Sequence, residues 1–311
     1  MRITRAGVGL SCVNSPFMTA DVKKFSFEKY HGAGNDFIML SGFLQALPEA
    51  LLETPQGWAQ IAAWCRRRFG VGADGLIALL PTEKRTPEGA SLDFEMRYFN
   101  ADGRPGSLCG NGGRCALRFA QDCGLIQDSA RFLASDGPHH GYLQDDIVHL
   151  EFGHPTGVEP LPALGGWFAD TGSPHLVLLQ GHAPEGGSAA FRQALEQAPV
   201  AQLGAKLRAH PSFAPGGTNV NFVAETQPGR LAIRTFERGV EAETWACGTG
   251  AVAAALVYWQ EFATESSHKP VVLRARGGRL QVYRKRGALW LAGPARKVFS
   301  GTLTYEASPA G

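Results

Sequence analysis

Two short motifs, far apart in the chain, repeat one pattern. The first is Leu108-Cys109-Gly110-Asn111-Gly112 and the second is Ala246-Cys247-Gly248-Thr249-Gly250. Each motif leads into a small, apolar, helix-forming segment, whose first N–H groups lack partners within the helix. Because the same motif occurs twice, the sequence predicts two similar domains, each with a cysteine at the start of a helix.

Other landmarks repeat at nearly the same interval, which supports an internal duplication. The interval between the two cysteines also separates Gly34-Asn35-Asp36-Phe37 from Gly172-Ser173-Pro174-His175. An interval one residue shorter separates Arg97-Tyr98-Phe99-Asn100 from Arg234-Thr235-Phe236-Glu237. We predict an α+β fold of two pseudo-symmetric domains, each a mixed or antiparallel β-sheet or barrel around a central helix. The active site is expected in the cleft between them.

The domain limits follow from a predicted strand that ends near residue 152, where Gly153-His154-Pro155 interrupts it. Residues 25–151 with 294–311 are expected to form the N-terminal domain, which carries Cys109. Residues 152–293 are expected to form the C-terminal domain, which carries Cys247. Residues 1–24 are interpreted as a disordered N-terminal extension, because their apolar patch is too short for a signal-peptide core.

Apolar periodicity predicts the local elements within these limits. Helical spacing covers residues 58–69, 111–123, 191–208 and 248–259. Alternating or continuous apolar runs predict strands at residues 25–30, 37–40, 76–80, 92–99, 218–224, 231–236 and 298–305, with further short strands in 131–152 and 271–292.

Charge and cysteine content exclude several classes of protein. Lysine and arginine total 30 against 28 acidic residues, so the net charge is +2 and nucleic acid is not an expected partner. No apolar run reaches the length of a membrane span. The six cysteines form no Cys-x-x-Cys pair and are interpreted as reduced thiols of a cytoplasmic protein. The nine histidines lack metal-ligand spacing, so no bound metal is expected.

The two repeated motifs point to proton-transfer chemistry. A thiol at a helix start faces unpaired N–H groups and the positive end of the helix dipole, which both favour the thiolate. Two such thiols on one cavity can remove a proton from one side of a carbon and return one to the other. The same N–H groups can hold a carboxylate and stabilise the charge that develops beside it. Cys65, Cys115 and Cys123, inside helical stretches, are interpreted as core residues instead.

A glycine-rich segment, Gly70-Val71-Gly72-Ala73-Asp74-Gly75, matches the pattern of a dinucleotide-binding loop. That loop requires a strand before the glycines and a helix after them, whereas here a helix precedes and a strand follows. We therefore interpret the segment as a turn in which Asp74 has a structural role.

Five motifs together resemble the diaminopimelate epimerase family. They are His31-Gly32-Ala33-Gly34-Asn35-Asp36-Phe37, Phe99-Asn100-Ala101-Asp102-Gly103, Cys109-Gly110-Asn111-Gly112-Gly113-Arg114-Cys115, Gly217-Thr218-Asn219-Val220-Asn221-Phe222 and the segment from Glu237-Arg238-Gly239 to Cys247-Gly248-Thr249-Gly250. The resemblance runs in order from about residue 25 to residue 305.

The resemblance implies a cofactor-independent enzyme that interconverts LL- and meso-diaminopimelate with a thiolate/thiol pair, in lysine and peptidoglycan biosynthesis. Cys109 and Cys247 match that pair, and His175 and Glu237 match residues that assist it. The positions that match substrate-binding residues are Asn35, Asn100, Gly110, Asn111, Ser173, Asn219, Glu237, Arg238, Gly248 and Thr249. A homodimer is also implied.

Two positions depart from the family pattern. Ser173 stands where many members have asparagine, and Gly75 stands where many have glutamine; both family positions contact substrate. Ser173 still offers a hydroxyl, whereas Gly75 has no side chain to offer.

Three other functions remain open from the sequence. The first is a racemase of another amino or imino acid, similar to proline racemase, because such enzymes also use two cysteines. A cysteine hydrolase would use Cys109 as nucleophile and His175 as base, but would not need Cys247. A non-catalytic amino-acid binder would keep the fold without exchanging the α-proton.

Overall fold

The described residues of the first half of the chain form seven strands and three helices. The computed structural model describes residues 21–152, 157–180, 188–262 and 269–307. The elements of this half are β1 (Asp21–Gly32), β2 (Asn35–Ser41), α1 (Glu49–Glu53), α2 (Pro55–Cys65), β3 (Gly75–Leu80), β4 (Phe94–Asn100), α3 (Gly110–Asp122), β5 (Ser129–Ala134), β6 (Gly137–Gln144) and β7 (Ile147–Phe152).

The second half repeats this order with small additions. Its elements are β8 (Val158–Leu161), β9 (Gly166–Asp170), β10 (Pro174–Gln180), α4 (Ser188–Gln197), α5 (Val200–Arg208), β11 (Asn219–Gln227), β12 (Arg230–Glu237), β13 (Ala242–Thr244), α6 (Gly248–Phe262), β14 (Val271–Ala275), β15 (Gly278–Lys285), β16 (Ala288–Pro294) and β17 (Arg296–Ala307).

Strand pairing follows the same rule in both halves. The parallel pair β2–β3 and the parallel pair β10–β11 are each connected through two helices. The antiparallel pairs β3–β4 and β11–β12 follow, and then the parallel pairs β4–β5 and β12–β14, connected through α3 and α6 respectively. Parallel strands require such crossovers. This mixed-sheet duplication confirms the predicted α+β class with two pseudo-symmetric parts.

Two antiparallel ladders join the halves. β16 pairs with β7, and the last strand, β17, returns to pair with β1. In the part of the chain that the structure describes, the strands therefore form one continuous sheet of 17 strands. The domain limits given above remain a prediction, since β16 belongs to the ladders of both halves.

Each repeated helix is the centre of a separate core. α3 packs among buried residues that include Phe94, Phe132 and Leu150. α6 is apolar on all sides and packs among residues that include Val223 and Leu273. A helix that is apolar all round is stable only inside a core, which explains why the sheet wraps around it. No helix in the described ranges is both long and apolar enough to cross a bilayer.

The structure corrects three sequence-based boundaries. The helix predicted over residues 58–69 ends at Cys65, because the carbonyls of Trp64 and Cys65 accept hydrogen bonds from the N–H groups of Gly72 and Ala73. The helix predicted over residues 191–208 is two helices, α4 and α5, which are separated at Pro199, whose ring removes a helical N–H.

The third correction concerns the N-terminal extension. Residues 21–24 are part of β1, where they pair with the end of β17, and are therefore not in a disordered segment. Their sequence is mostly polar, so it carries no alternating apolar signal. Residues 1–20, and the predicted break at residues 153–155, lie outside the described residues.

Candidate active site

The site begins where the first turns of α3 and α6 meet. Cys109 directly precedes α3 and Cys247 directly precedes α6. A Cβ atom added to Gly248 would lie 3.4 Å from the Cα of Gly110 and 3.0 Å from a methyl of Leu291. The two glycines therefore allow the backbones of α3 and α6 to come close together, and larger residues would push them apart. The sequence duplication brings the two cysteine motifs to one place.

One cavity of about 2060 Å³ lies over these helix starts. It is lined by both cysteines and by almost all of the predicted site residues, namely Asn35, Asn100, Cys109, Gly110, Asn111, Ser173, Asn219, Glu237, Arg238, Cys247, Gly248 and Thr249. The exception is His175, which is fully buried behind the cavity wall. The residues come from both halves of the chain, so the cavity lies between the two repeated parts.

The thiol of Cys109 lies beside Asn35. Its Sγ donates to Asn35 Oδ1 at 3.4 Å. Burial raises the pKa of Cys109 to about 11, and the Glu237 carboxylate adds to the rise. The backbone N–H groups of Gly112 and Asn111 act in the opposite direction. The helix start thus favours the thiolate as expected, but the cost of burying the charge is the larger effect on this pKa.

The thiol of Cys247 is surrounded by hydrogen-bond donors. Its Sγ accepts from the N–H of Gly250 at 3.4 Å and contacts Thr249 Oγ1 at 3.2 Å. Burial raises the pKa of Cys247 above its usual range, and the Glu237 carboxylate raises it further. The contacts with Thr249 and Gly250 lower this pKa. A thiolate at Cys109 would also raise this pKa.

A chain of hydrogen bonds connects His175 to Cys247. Asn221 Nδ2 donates to the carbonyl of Leu176 at 3.1 Å and contacts His175 Nδ1 at 3.0 Å. A carbonyl can only accept, so the amide orientation is fixed and His175 Nδ1 is the acceptor. The proton of the neutral ring is therefore on Nε2, which lies 3.0 Å from Ser173 Oγ.

The chain continues through two hydroxyl groups. Ser173 Oγ donates to Thr249 Oγ1 at 3.3 Å, which leaves the Thr249 proton for Cys247 Sγ. Burial lowers the pKa of His175 to about 3, and the charge of Arg238 acts in the same direction. His175 is thus neutral, and it reaches Cys247 only through Ser173 and Thr249.

Asn111 connects the two cysteine segments. Its Nδ2 donates to the carbonyl of Ala246 at 2.8 Å and to Asn35 Oδ1 at 3.3 Å. Its Oδ1 accepts from Arg114 Nη2 at 2.8 Å, and Arg114 also donates to the carbonyl of Gly110. The side chain of Asn111 is therefore occupied by protein partners, so only its backbone remains available to a ligand.

Arg114 and Asp74 are site residues that the sequence analysis did not assign. Arg114 is fully buried, and no described carboxylate pairs with it. Asp74 accepts from Asn35 Nδ2 at 2.7 Å, which fits its predicted structural role. Because Arg114 lies inside the Cys109 motif, the sequence could have indicated its place near the site. The contact of Asp74 with Asn35 could not be predicted, because the two residues are far apart in the sequence.

Asn219, Glu237 and Arg238 also line the cavity. Asn219 donates to the carbonyl of Pro174 at 2.9 Å and accepts from the N–H of Arg238 at 2.8 Å, which holds that segment in place. Burial raises the pKa of Glu237, although a bond from Thr244 opposes it. Among the described carboxylates none forms an ion pair with Arg238, so its guanidinium is available to an anion in the cavity.

The fold and the site together define a class of protein. With a TM-score of 0.62 and 15% identity, the chain matches a hydroxyproline epimerase of Agrobacterium vitis, solved with bound trans-4-hydroxy-L-proline, over 91% of this chain and 93% of that one. A phenazine biosynthesis protein of Bacillus anthracis matches with a TM-score of 0.66 and 14% identity, over 90% and 99%. The class is therefore the two-domain fold that these proteins share.

Sequence comparison gives the family within that class. The diaminopimelate epimerase family model matches residues 27–149 and 185–298. The diaminopimelate epimerase of Chlorobaculum tepidum is 40% identical over 281 residues, covering 88% of this chain and 99% of the relative. That of Flavobacterium psychrophilum is 38% identical over 282 residues, covering 88% and 98%. The chain belongs to the diaminopimelate epimerase family.

Proposed function

We propose that the protein interconverts LL-2,6-diaminopimelate and meso-2,6-diaminopimelate without a cofactor, in lysine and peptidoglycan biosynthesis. The observation that carries this proposal is the convergence of Cys109 and Cys247 on one cavity, each at the start of its own helix. Family membership supplies the substrate.

In the proposed reaction one cysteine reacts as thiolate and the other as thiol. The thiolate removes the proton from the α-carbon, and the thiol delivers its own proton to the opposite face, so the charge moves from one sulfur to the other. Burial, which raises the pKa of both cysteines, also makes each thiolate a stronger base toward a weakly acidic carbon. The reverse direction exchanges the two roles.

The backbone at both helix starts is proposed to hold the carboxylate beside the reacting carbon. The N–H groups after Cys109 and Cys247, from Gly110 and Asn111 and from Gly248 and Thr249, belong to first helical turns and lack intrahelical partners. Hydrogen bonds to this carboxylate strengthen as the α-carbon loses its proton, which stabilises the transition state.

The distal end of the substrate is proposed to bind on the remaining wall. Arg238 offers a two-pronged donor for the distal carboxylate, and Asn35, Asn100, Asn219 and Glu237 are proposed to help hold the distal amino-acid group. Glu237 and His175 are proposed to assist the cysteines, the latter through Ser173.

Exchange of the α-proton tests the function directly. The protein is incubated with LL-diaminopimelate in D₂O, and deuterium at the α-carbon is measured by mass spectrometry beside the formation of the meso isomer. We expect both, and Cys109→Ser and Cys247→Ser should each lower turnover by about 100-fold or more, since each removes an acid or base. Cys123→Ser, at the far end of α3, is the matched control.

The same assay separates the alternatives. Proline and trans-4-hydroxyproline are tested in parallel, and deuterium that enters only these imino acids would replace the proposed substrate. A hydrolase would keep its activity in Cys247→Ser, and a non-catalytic binder would bind diaminopimelate without any exchange.

We also propose a cytoplasmic homodimer. A reduced compartment keeps both reactive thiols free, and the described cysteines are unpaired. A second copy would cover β17, which pairs with β1 alone among the described strands and exposes Val298 and Phe299. Sedimentation of the purified protein at micromolar concentration should give the mass of two chains.

A further inference from the structure

The place of the missing side chain at Gly75 is occupied by a tyrosine from the neighbouring strand. In the antiparallel pair β3–β4, Gly75 lies opposite Asn100 and Ile77 lies opposite Tyr98, so all four residues are on one face of the sheet. A Cβ atom on Gly75 would lie 2.4 Å from the backbone oxygen of Phe99, 2.7 Å from Cε2 of Tyr98 and 3.3 Å from the Tyr98 hydroxyl oxygen. Any residue other than glycine would therefore collide with both the backbone of β4 and the tyrosine ring.

A second glycine lies on the other edge of the ring. A Cβ atom on Gly106 would lie 2.7 Å from both Cδ1 and Cε1 of Tyr98. The ring of Phe37 supports Tyr98 from a third side, with ring centroids 6.0 Å apart in an edge-to-face arrangement. The tyrosine ring thus fits a slot between Gly75 and Gly106, which fixes the position of its hydroxyl group.

Tyr98 lines the substrate cavity together with Cys109 and Glu237. Burial raises the pKa of Tyr98 well above its ordinary value, and the next contributions come from Cys109 and Glu237, so the phenol is protonated close to the reacting groups. No residue in the described ranges hydrogen-bonds with it. A partly buried phenol normally has a partner, and the open cavity is where this partner can bind.

We propose that Tyr98 is a substrate-binding residue that replaces the side chain absent at Gly75, and that its hydroxyl hydrogen-bonds a charged head group of the substrate. This inference rests on the proposed function and makes it more specific. It also explains how a chain with glycine at position 75 retains a polar contact there: the contact comes from β4 instead of β3.

The variant Tyr98→Phe tests the hydroxyl alone, because it keeps the ring in its slot. We expect KM for diaminopimelate to rise roughly tenfold to a hundredfold, as for the loss of a hydrogen bond to a charged group, with kcat changed much less. Tyr142→Phe is the matched control, since the Tyr142 hydroxyl contacts Tyr283 outside the cavity. A wild-type KM in Tyr98→Phe would overturn the proposal.

The variant Tyr98→Val tests the ring together with the hydroxyl. A substitution at Gly75 would not test the ring alone, because its Cβ would also meet the backbone oxygen of Phe99 at 2.4 Å. KM in Tyr98→Val should rise at least as far as in Tyr98→Phe, and a wild-type KM in Tyr98→Val would show that Tyr98 does not contact the substrate. If the wild-type protein itself fails to exchange deuterium into diaminopimelate, the proposed function fails, and the role of Tyr98 fails with it.

Discussion

At Cys247 the nearest hydrogen-bond donors are neutral groups. Thr249 and the N–H of Gly250 contact the sulfur, and Ser173 and His175 stand behind Thr249. Because the imidazole is neutral, it cannot stabilise the thiolate as a full positive charge. It can only orient the hydroxyl protons toward the sulfur, so Ser173 is the connection on which this orientation depends.

Ser173→Ala should interrupt that connection. One hydrogen bond contributes about 1 kcal/mol, so we expect the pKa of Cys247 to rise by roughly half a unit to one unit. The measurement is the pH dependence of iodoacetamide alkylation, with Cys247 followed by peptide mass spectrometry in the absence of substrate. Ser173→Thr keeps the hydroxyl and should behave as wild type; an unchanged alkylation profile in Ser173→Ala would contradict this role.

At the scale of elements, the contact of α3 with α6 determines how closely the two thiols can face one carbon. The helix starts touch at Gly110 and Gly248, and Asn111 adds a side-chain bond across the same contact to Ala246. A rigid contact between secondary-structure elements is a suitable support for groups that must be placed within a fraction of an ångström.

Gly248→Ala should widen this contact. The added methyl group would lie 3.0 Å from Leu291 and 3.4 Å from the Cα of Gly110. We expect kcat to fall at least tenfold, while the melting temperature stays near that of wild type because alanine favours the helix.

The matched control is Gly113→Ala. It introduces a methyl group 3.0 Å from Leu150, also in a helical first turn, but it faces the core of α3 instead of α6. Equal losses of kcat in Gly248→Ala and Gly113→Ala would show that the contact between the helices has no special effect on the site.

At the scale of the whole molecule, buried His175 makes stability depend on pH. Burial lowers its pKa from 6.5 to about 3 in the folded protein, whereas the unfolded chain keeps an ordinary value. Between these values the unfolded state binds more protons, so stability is present at neutral pH and is lost as the pH falls below about 6.5.

We therefore expect His175→Gln to reduce the pH dependence of unfolding. At pH 5 the wild-type protein should have lost about 2 kcal/mol, relative to pH 7, through this one group. Urea titrations of both proteins at pH 7 and pH 5 measure the difference. Equal losses in wild type and in His175→Gln would show that this group is not responsible.

Much of the site could be predicted because its key groups belong to local motifs. Cys109 and Cys247 each precede glycines that begin a helix, and the equal spacing of other landmarks indicated the duplication. The slot around Tyr98 could not be predicted, because it depends on a diagonal contact between β3 and β4 and on Gly106 from a separate loop. The neutral state of His175 likewise depends on burial, which no local pattern specifies.

The pairing of β1 with β17 means that the first half is completed by a strand that follows the second half in the sequence. During synthesis a nascent chain emerges from its N-terminus, and domains generally fold in that order. Here the ribosome must translate the entire second half, as far as β17, before this strand is available to β1. The half that is made first is therefore the half that is completed last.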